Sequence, residues 1–265
     1  MYYFAFALLL AALLGSLAFA GAALIHLWQK KDGIPAFIEK GHILVTGCFL
    51  MASAFLLHAL YWKDYRLDYV SSYTDNILDL FYRLTAFWAG QPGSMLFWGL
   101  TVAVMGSLFA LTRNYKSLSG ETRLWFWTFF YILTAFFGLI LTVWSNPFAM
   151  QYPVPADGRG LNPLLQNPGM IIHPPLLFLG YAGFAIPTCL ALARRCPEIR
   201  KTGAPGTFPR APSCCWPGPS FPRASCSAPG GRTWNSAGEA TGPGIPLKTR
   251  LSSRGFSRRP PSIPS

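Results

Sequence analysis

Four histidines are the side chains in this 265-residue chain best suited to hold a metal or move a proton: His26, His42, His58 and His173. An imidazole ligates through one ring nitrogen while a hydrogen bond on the other fixes the tautomer. His173 has the most distinctive setting. It closes the run Asn162-Pro163-Leu164-Leu165-Gln166-Asn167-Pro168-Gly169-Met170-Ile171-Ile172-His173-Pro174-Pro175. A residue before proline is driven toward extended geometry, and proline favours the first turn of a helix. The run therefore reads as a structured loop that delivers an imidazole to the mouth of a helix. Ligation of a metal or haem iron and a purely structural role are both compatible with these residues. Other chemistries are missing. The six cysteines form no Cys-x-x-Cys pair, so neither a zinc knuckle nor a thioredoxin-like motif is indicated. A Cys-x-x-Cys-His run is absent too, so the chain is not itself a c-type cytochrome. No Ser/His/Asp arrangement, paired-carboxylate site or phosphate-binding Gly-rich loop is present.

The elements that must position these histidines are apolar. Hydrophobic residues make up 52% of the chain and charged ones only 12%, about half the usual share of a soluble domain. Five stretches approach the roughly 20 apolar residues needed to cross a bilayer. They run over Tyr3–Trp28, His42–Trp62, Met95–Leu111, Trp125–Ser145 and Ile171–Ala193, and the third is short enough to begin earlier, near Phe87. The first is too long, and its flank too uncharged, for a simple cleaved signal peptide. The fold class expected is all-α: a polytopic membrane helical bundle of five spans, followed by a disordered tail. Lys30, Lys31 and Lys40 follow span one, Arg113, Lys116 and Arg123 follow span three, and Arg194 and Arg195 follow span five. The connections between are Asp-rich or nearly uncharged. The positive-inside rule then puts the N-terminus outside, with the connections near residues 63–94 and 146–170. On this topology His26 and His42 lie at inner span ends, where an interfacial hydrogen-bonding role suits them. His58 lies one turn inside an outer end, and an ionisable group within a span is a functional candidate by default.

Two stretches are long and irregular enough to carry a family resemblance. Tyr82-Arg83-Leu84-Thr85-Ala86-Phe87-Trp88-Ala89-Gly90-Gln91-Pro92-Gly93-Ser94 and the Asn162–Pro175 run resemble the CcmF-type cytochrome c haem lyase family, and the likeness covers residues 1–195. The resemblance implies a component of a haem lyase complex, residing in the inner membrane. Such a complex joins haem to the Cys-x-x-Cys-His thiols of apocytochrome c outside the membrane, with a haem chaperone and other maturation-complex subunits as partners. It implies haem as cofactor, with His173 as an axial ligand to haem iron. It also implies a Trp-rich external segment after a sixth span, flanked by two ligating histidines. No residues of this chain read as that segment.

Residues 196–265 account for the difference. They hold 13 prolines, 10 serines and 10 Lys/Arg against 2 Asp/Glu, a composition that cannot bury a core. The codon constraints suggest a displaced reading frame. Trp234 must be TGG and Asn235 must begin AA, so a frame set back by one nucleotide gives glutamate there. Continued to Leu251, that frame permits Gly-Trp-Gly-Gly-Tyr-Trp-Ala-Trp-Asp-Pro-Val-Glu-Asn without violation. Upstream, Cys215 and Trp216 must each yield leucine and Pro217 must yield alanine, within a stretch that permits an apolar span. The hidden order is a sixth span, a Trp-rich segment, then the start of a seventh span containing a histidine. The expected division is therefore a five-span membrane region, residues 1–195, and a basic Pro/Ser-rich tail, residues 196–265. The tail is expected to be disordered and to be a wrong-frame translation of the family's sixth span and Trp-rich segment. The chain in this form is expected to be inactive in cytochrome c maturation. No nucleic-acid partner is expected; the lipid bilayer is. The rival reading is a fragment of a small-solute or ion transporter, for which His58 and the Pro187-interrupted fifth span are the relevant features.

Overall fold

The computed structural model describes residues 1–29, 33–202, 233–234 and 240–241. Five helices in it are long and apolar enough to cross a membrane. They are α1 (Tyr2–Trp28), α2 (Ala36–Trp62), α5 (Gln91–Leu111), α7 (Gly120–Leu139) and α8 (Pro168–Thr202), with α7 continuing as a π-turn over Ile140–Trp144. Short helices fill the connections: α3 (Asp68–Tyr73), α4 (Leu80–Thr85) and α6 (Arg113–Lys116), with 3₁₀ turns at Ala86–Trp88 and Pro163–Leu165. The chain is thus an all-α, multi-pass membrane bundle. By contacts it divides into Met1–Thr207 and Phe208–Ser265. Within the second unit the described residues form one antiparallel pair, β1 (Thr233–Trp234) with β2 (Ala240–Thr241). The expectation of a disordered tail otherwise falls on residues outside those described.

The structure extends four of the expected spans at their N-terminal ends, and each extension has a local cause. Helix α2 starts directly after Pro35, which takes the extended geometry of a cap. Its charged first turns hid it from an apolar window. Gln91 and Pro92 open α5, with proline in the first turn where its missing N–H is harmless. Ser119 accepts the Thr122 N–H at 3.2 Å and caps α7. Pro168 opens α8, where the Asn167 Oδ1 accepts the Gly169 N–H at 2.9 Å. At its far end α8 runs to Thr202, seven residues beyond the expected boundary at 195.

Burying apolar surface does not drive helices together in lipid, whose tails are equally apolar; close packing and interhelical hydrogen bonds do. Both are evident. Helix α1 lies against α7 and α2, α2 against α5, and α8 against α7 and α5. At Gly138 a Cβ would sit 3.0 Å from the Cβ of Leu13, so glycine permits the α1–α7 approach. One turn earlier the Thr134 hydroxyl donates to Ser16 Oγ at 3.1 Å in the buried interface. The largest fully buried side chains include Trp127, Tyr131, Phe49, Phe126 and Phe130; four of them lie on α7 as two adjacent pairs one turn apart, with their rings in contact.

The two connections expected on one side of the membrane fold onto each other. Asp68 N–H donates to the Ala149 carbonyl and Gln151 N–H to that of Arg66, both at 3.0 Å, across an isolated antiparallel bridge of Leu67 with Met150. Further along, Arg159 N–H donates to Ser71 O at 2.7 Å and Gly160 N–H to Thr74 O at 3.1 Å. Asp157 Oδ1 accepts from Asn76 N–H at 2.8 Å. Residues 63–90 and 145–167 therefore make one ordered cap over one end of the bundle. At the opposite end Glu39 of α2 meets Tyr115 of α6 at 2.7 Å and Arg123 of α7 at 3.3 Å.

Candidate functional site

His173 sits in the second turn of α8, one residue before Pro174, at the cap end of the bundle. It belongs to the helix rather than to the loop before it, because Asn167 and Pro168 start the helix five residues upstream. Pro174 and Pro175 lie inside α8, past the four N-terminal residues whose N–H groups have no intrahelical partner, so each removes one bond from the helix ladder. The imidazole is exposed. Beside it, Ile172 and Leu176 are also exposed, at 62% and 59%.

Pro174 faces inward and lines a cleft of about 170 Å³ with Thr85, Trp88, Ala89, Leu161 and Leu165. The two motif stretches meet here: Trp88 comes from the first, and Leu165 and Pro174 from the second. An aromatic ladder continues along the α5–α8 contact. Trp88 touches Phe97 (ring centroids 5.8 Å apart), Phe97 touches Phe178 (5.8 Å), and Trp98 touches both Phe178 (5.8 Å) and Tyr181 (5.6 Å). Positions 174, 178 and 181 are the face of α8 turned to α5, and His173 occupies the neighbouring exposed face.

The Trp88 turn is held by Tyr69 of α3. Its hydroxyl donates to the Ala86 carbonyl at 2.8 Å and accepts the Gly90 N–H at 3.1 Å, in a buried position. Burial raises the Tyr69 phenol well above its ordinary pKa, so it remains a donor at any physiological pH. Ser94 Oγ donates to the Trp88 carbonyl at 2.7 Å. Gly93 is required by crowding: a Cβ there would lie 2.0 Å from the Phe87 carbonyl oxygen and 2.3 Å from Tyr69 Oη. The irregular motif is thus a compact turn whose product is the placement of Trp88.

The other histidines are placed elsewhere. His58 is exposed on α2, near Trp62 with ring centroids 6.4 Å apart. His26 is half-buried on α1, and its Nδ1 is buried without a hydrogen-bond partner. His42, expected at an interface, is buried in the bundle. Its Nδ1 pairs with Ser107 Oγ at 2.8 Å and its ring stacks on Trp127, with centroids 4.7 Å apart and planes 3° from parallel. Nothing in the apolar pattern separates a buried histidine from an interfacial one. Ser107, 65 residues away on α5, was not identifiable as its partner.

Among the described residues no group of three or more His, Cys, Asp or Glu side chains could enclose a metal ion. An iron already held in a porphyrin plane asks less of the protein, namely one or two axial donors and apolar walls. The exposed imidazole of His173 and the apolar surface around it fit one such donor. The cleft is smaller than the roughly 300–1,000 Å³ of a pocket that encloses a ligand, so only part of a macrocycle could enter it.

Residues 88–213 match the family model described as cytochrome C assembly protein. The chain is 36% identical over 132 residues to the cytochrome c-type biogenesis protein NrfE of Haemophilus influenzae, covering 49% of this chain and 20% of the relative. It is 35% identical over 171 residues to the cytochrome c-type biogenesis protein CcmF of Escherichia coli, covering 63% and 26% respectively. Among solved structures it resembles a chain described as cytochrome c heme lyase CcmF. The TM-score is 0.58 at 25% identity, over 72% of this chain and 30% of the other. The chain therefore spans about a quarter of the length of the curated relatives it matches.

Proposed function

We propose, taking as premise that this is a CcmF-type cytochrome c biogenesis protein, that its cap end handles haem for attachment to apocytochrome c and that His173 is an axial ligand to the iron. The observation that carries this reading is the convergence of two sequence-distant motifs, residues 82–94 and 162–175, at one cleft beside an exposed imidazole. The cap lies outside the membrane and the Glu39–Tyr115–Arg123 cluster inside, in agreement with the lysines and arginines that flank the inner ends. In a bacterium the membrane is the inner one.

Haem is the substrate. Its vinyl groups react with cysteine thiols of the apocytochrome, so the protein needs no nucleophile of its own. What these residues supply is position. His173 Nε2 or Nδ1 donates to the iron. The apolar surface of Ile172 and Leu176 and the aromatic rim at Trp88 exclude water from one face. The haem chaperone, the apocytochrome and other subunits of the maturation complex are the partners this role requires.

Residues 196–265 are, on this reading, the wrong-frame translation of a sixth span and a Trp-rich external segment. The support is the run of codons compatible with Trp-Gly-Gly-Tyr-Trp-Ala-Trp-Asp-Pro. The 265-residue form would then lack the second imidazole and the aromatic platform, and would hold haem weakly and five-coordinate. Complementation of a lyase-deficient strain tests both parts. A version with the frame restored is expected to give covalent haem on a c-type cytochrome, and its His173→Ala variant to give none. Equal rescue by the 265-residue chain would refute the account of the tail. Full activity of the His173→Ala variant would refute the role of the histidine.

A further inference from the structure

We propose that the cleft between Trp88 and Pro174 seats the apolar edge of the haem whose iron is held by His173, and that Tyr69 is the positioning residue that keeps this seat open. The proposal rests on the His173 reading above and extends it to residues of α3 and of the turn before α5.

Three observations support it. The cleft is mostly apolar, walled by an indole, a proline ring, two leucines and an alanine. Its volume of about 170 Å³ suits a planar apolar edge and not a whole macrocycle. It adjoins His173 through Pro174, the next residue on the helix. A ring ligated at His173 would lie against the surface beside the imidazole. On the bundle side, the cleft residue next to His173 on the helix is Pro174, so the cleft would border such a ring. Trp88 is half-buried here, so its indole has both a fixed backing in Phe97 and a free face.

Tyr69 makes the seat rigid. Its single hydroxyl ties the Ala86 carbonyl to the Gly90 N–H across the turn that carries Trp88. Without that hydroxyl the Gly90 N–H loses this acceptor and the Ala86 carbonyl keeps only the Ala89 N–H at 3.2 Å, so the turn can relax toward the cleft. A phenylalanine at 69 preserves the ring packing against Tyr73, whose centroid lies 4.8 Å away. The substitution therefore isolates the hydrogen bonds from the bulk.

The test is a haem titration of the full chain in detergent, read by the absorbance of ligated haem and by quenching of tryptophan fluorescence. Leu165→Trp, which fills the cleft without touching His173, is expected to weaken haem binding several-fold while the absorbance of the remaining complex still reports imidazole ligation. Trp88→Ala is expected to weaken it about 2- to 10-fold, the equivalent of one lost ring contact, and Trp88→Phe to restore most of that. Tyr69→Phe is expected to fall between wild type and Trp88→Ala. If haem binds with an absorbance that depends on His173, yet Leu165→Trp and Trp88→Ala leave the affinity unchanged, the cleft is not a haem seat and the His173 reading survives. If no His173-dependent absorbance forms in the wild-type chain, both readings fail together. Loss of fold in Trp88→Ala does not decide the matter, because Leu165→Trp and Trp88→Phe carry the same comparison.

Discussion

Asp64 shows how single side chains secure the cap. Its carboxylate accepts Tyr2 Oη at 2.5 Å, Arg66 Nε at 2.8 Å and Arg66 NH2 at 2.5 Å, drawing the N-terminus of α1 onto the connection after α2. The Arg66 guanidinium, with help from Tyr2, holds the Asp64 carboxyl down at about 2. A carboxyl depressed in the folded state stabilises it above the unfolded pKa near 4, and that contribution fades as pH falls through about 2. The shift corresponds to about 2 kcal/mol at most, and the exposure of Arg66 halves that through solvent screening. Asp64→Asn is expected to lower thermal stability in detergent by on the order of 1 kcal/mol at pH 7. The gap from wild type should narrow between pH 4 and pH 2; a gap that stays constant over that window would show that the charge is irrelevant. At the opposite end Tyr115 donates to Glu39 and accepts the fully buried Trp127 Nε1–H at 2.6 Å. Tyr115→Phe would strand that donor, at a cost of about 1–3 kcal/mol, visible as a lower melting temperature. An unchanged melting temperature would mean that Trp127 finds another acceptor.

At the scale of elements, the sequence exposed the spans well and their starts poorly. All five were legible from apolar length alone, because nothing but a membrane span uses 20 such residues in a row. Four starts were placed too late, at His42, Met95, Trp125 and Ile171, because the turns before them hold polar or charged residues whose business is at the membrane edge: Glu39, Gln91, Glu121 and Asn167. Capping signals at Pro35, Ser119 and Asn167-Pro168 were present and outweighed hydropathy. The motif residues 82–94 could be recognised as unusual, but their reason could not be read without the fold. Gly93 is glycine because Phe87 and Tyr69, six and 24 positions away, converge on it. Gly93→Ala is accordingly expected to destabilise the chain by about 1–3 kcal/mol, the usual range for overpacking, and to displace Trp88. Denaturation of purified variant and wild type measures the first. Equal stability would mean that the turn before α5 has slack the structure does not show. His173 was legible as a candidate; its membership of the helix was not, because Pro174 and Pro175 argued for an extended approach that the earlier N-terminus at Pro168 made unnecessary.

For the whole molecule, the alternation of charge anticipated which connections share a side, and the structure joins residues 63–90 and 145–167 into one cap. Partner pairing across that cap, such as Gln151 with Tyr65 and Ser71, was beyond reach of a single sequence, since no periodicity links loops 80 residues apart. The rival transporter reading finds little to build on, because His58 lies on the exposed flank of α2 rather than along an interior path. The proposed orientation makes a direct prediction. In a cysteine-free background, a thiol at Ser72 is expected to label from the outside and one at Ser117 only after the inner face is opened. Labelling of both from one side would reject the topology.

The central claim is that His173 holds haem iron at the outer end of the bundle. Purified wild-type chain and its His173→Ala variant, each incubated with an equivalent of haem and freed of excess by gel filtration, test it by absorbance. The wild type is expected to retain a weakly held fraction of the haem, with the spectrum of imidazole-ligated iron that shifts on added imidazole as the vacant sixth position fills, and the variant to retain little or none. Equal haem retention with the same spectrum in both would contradict the account, since the iron would then be held by some other group and the cap would be no more than a lid on a helical bundle.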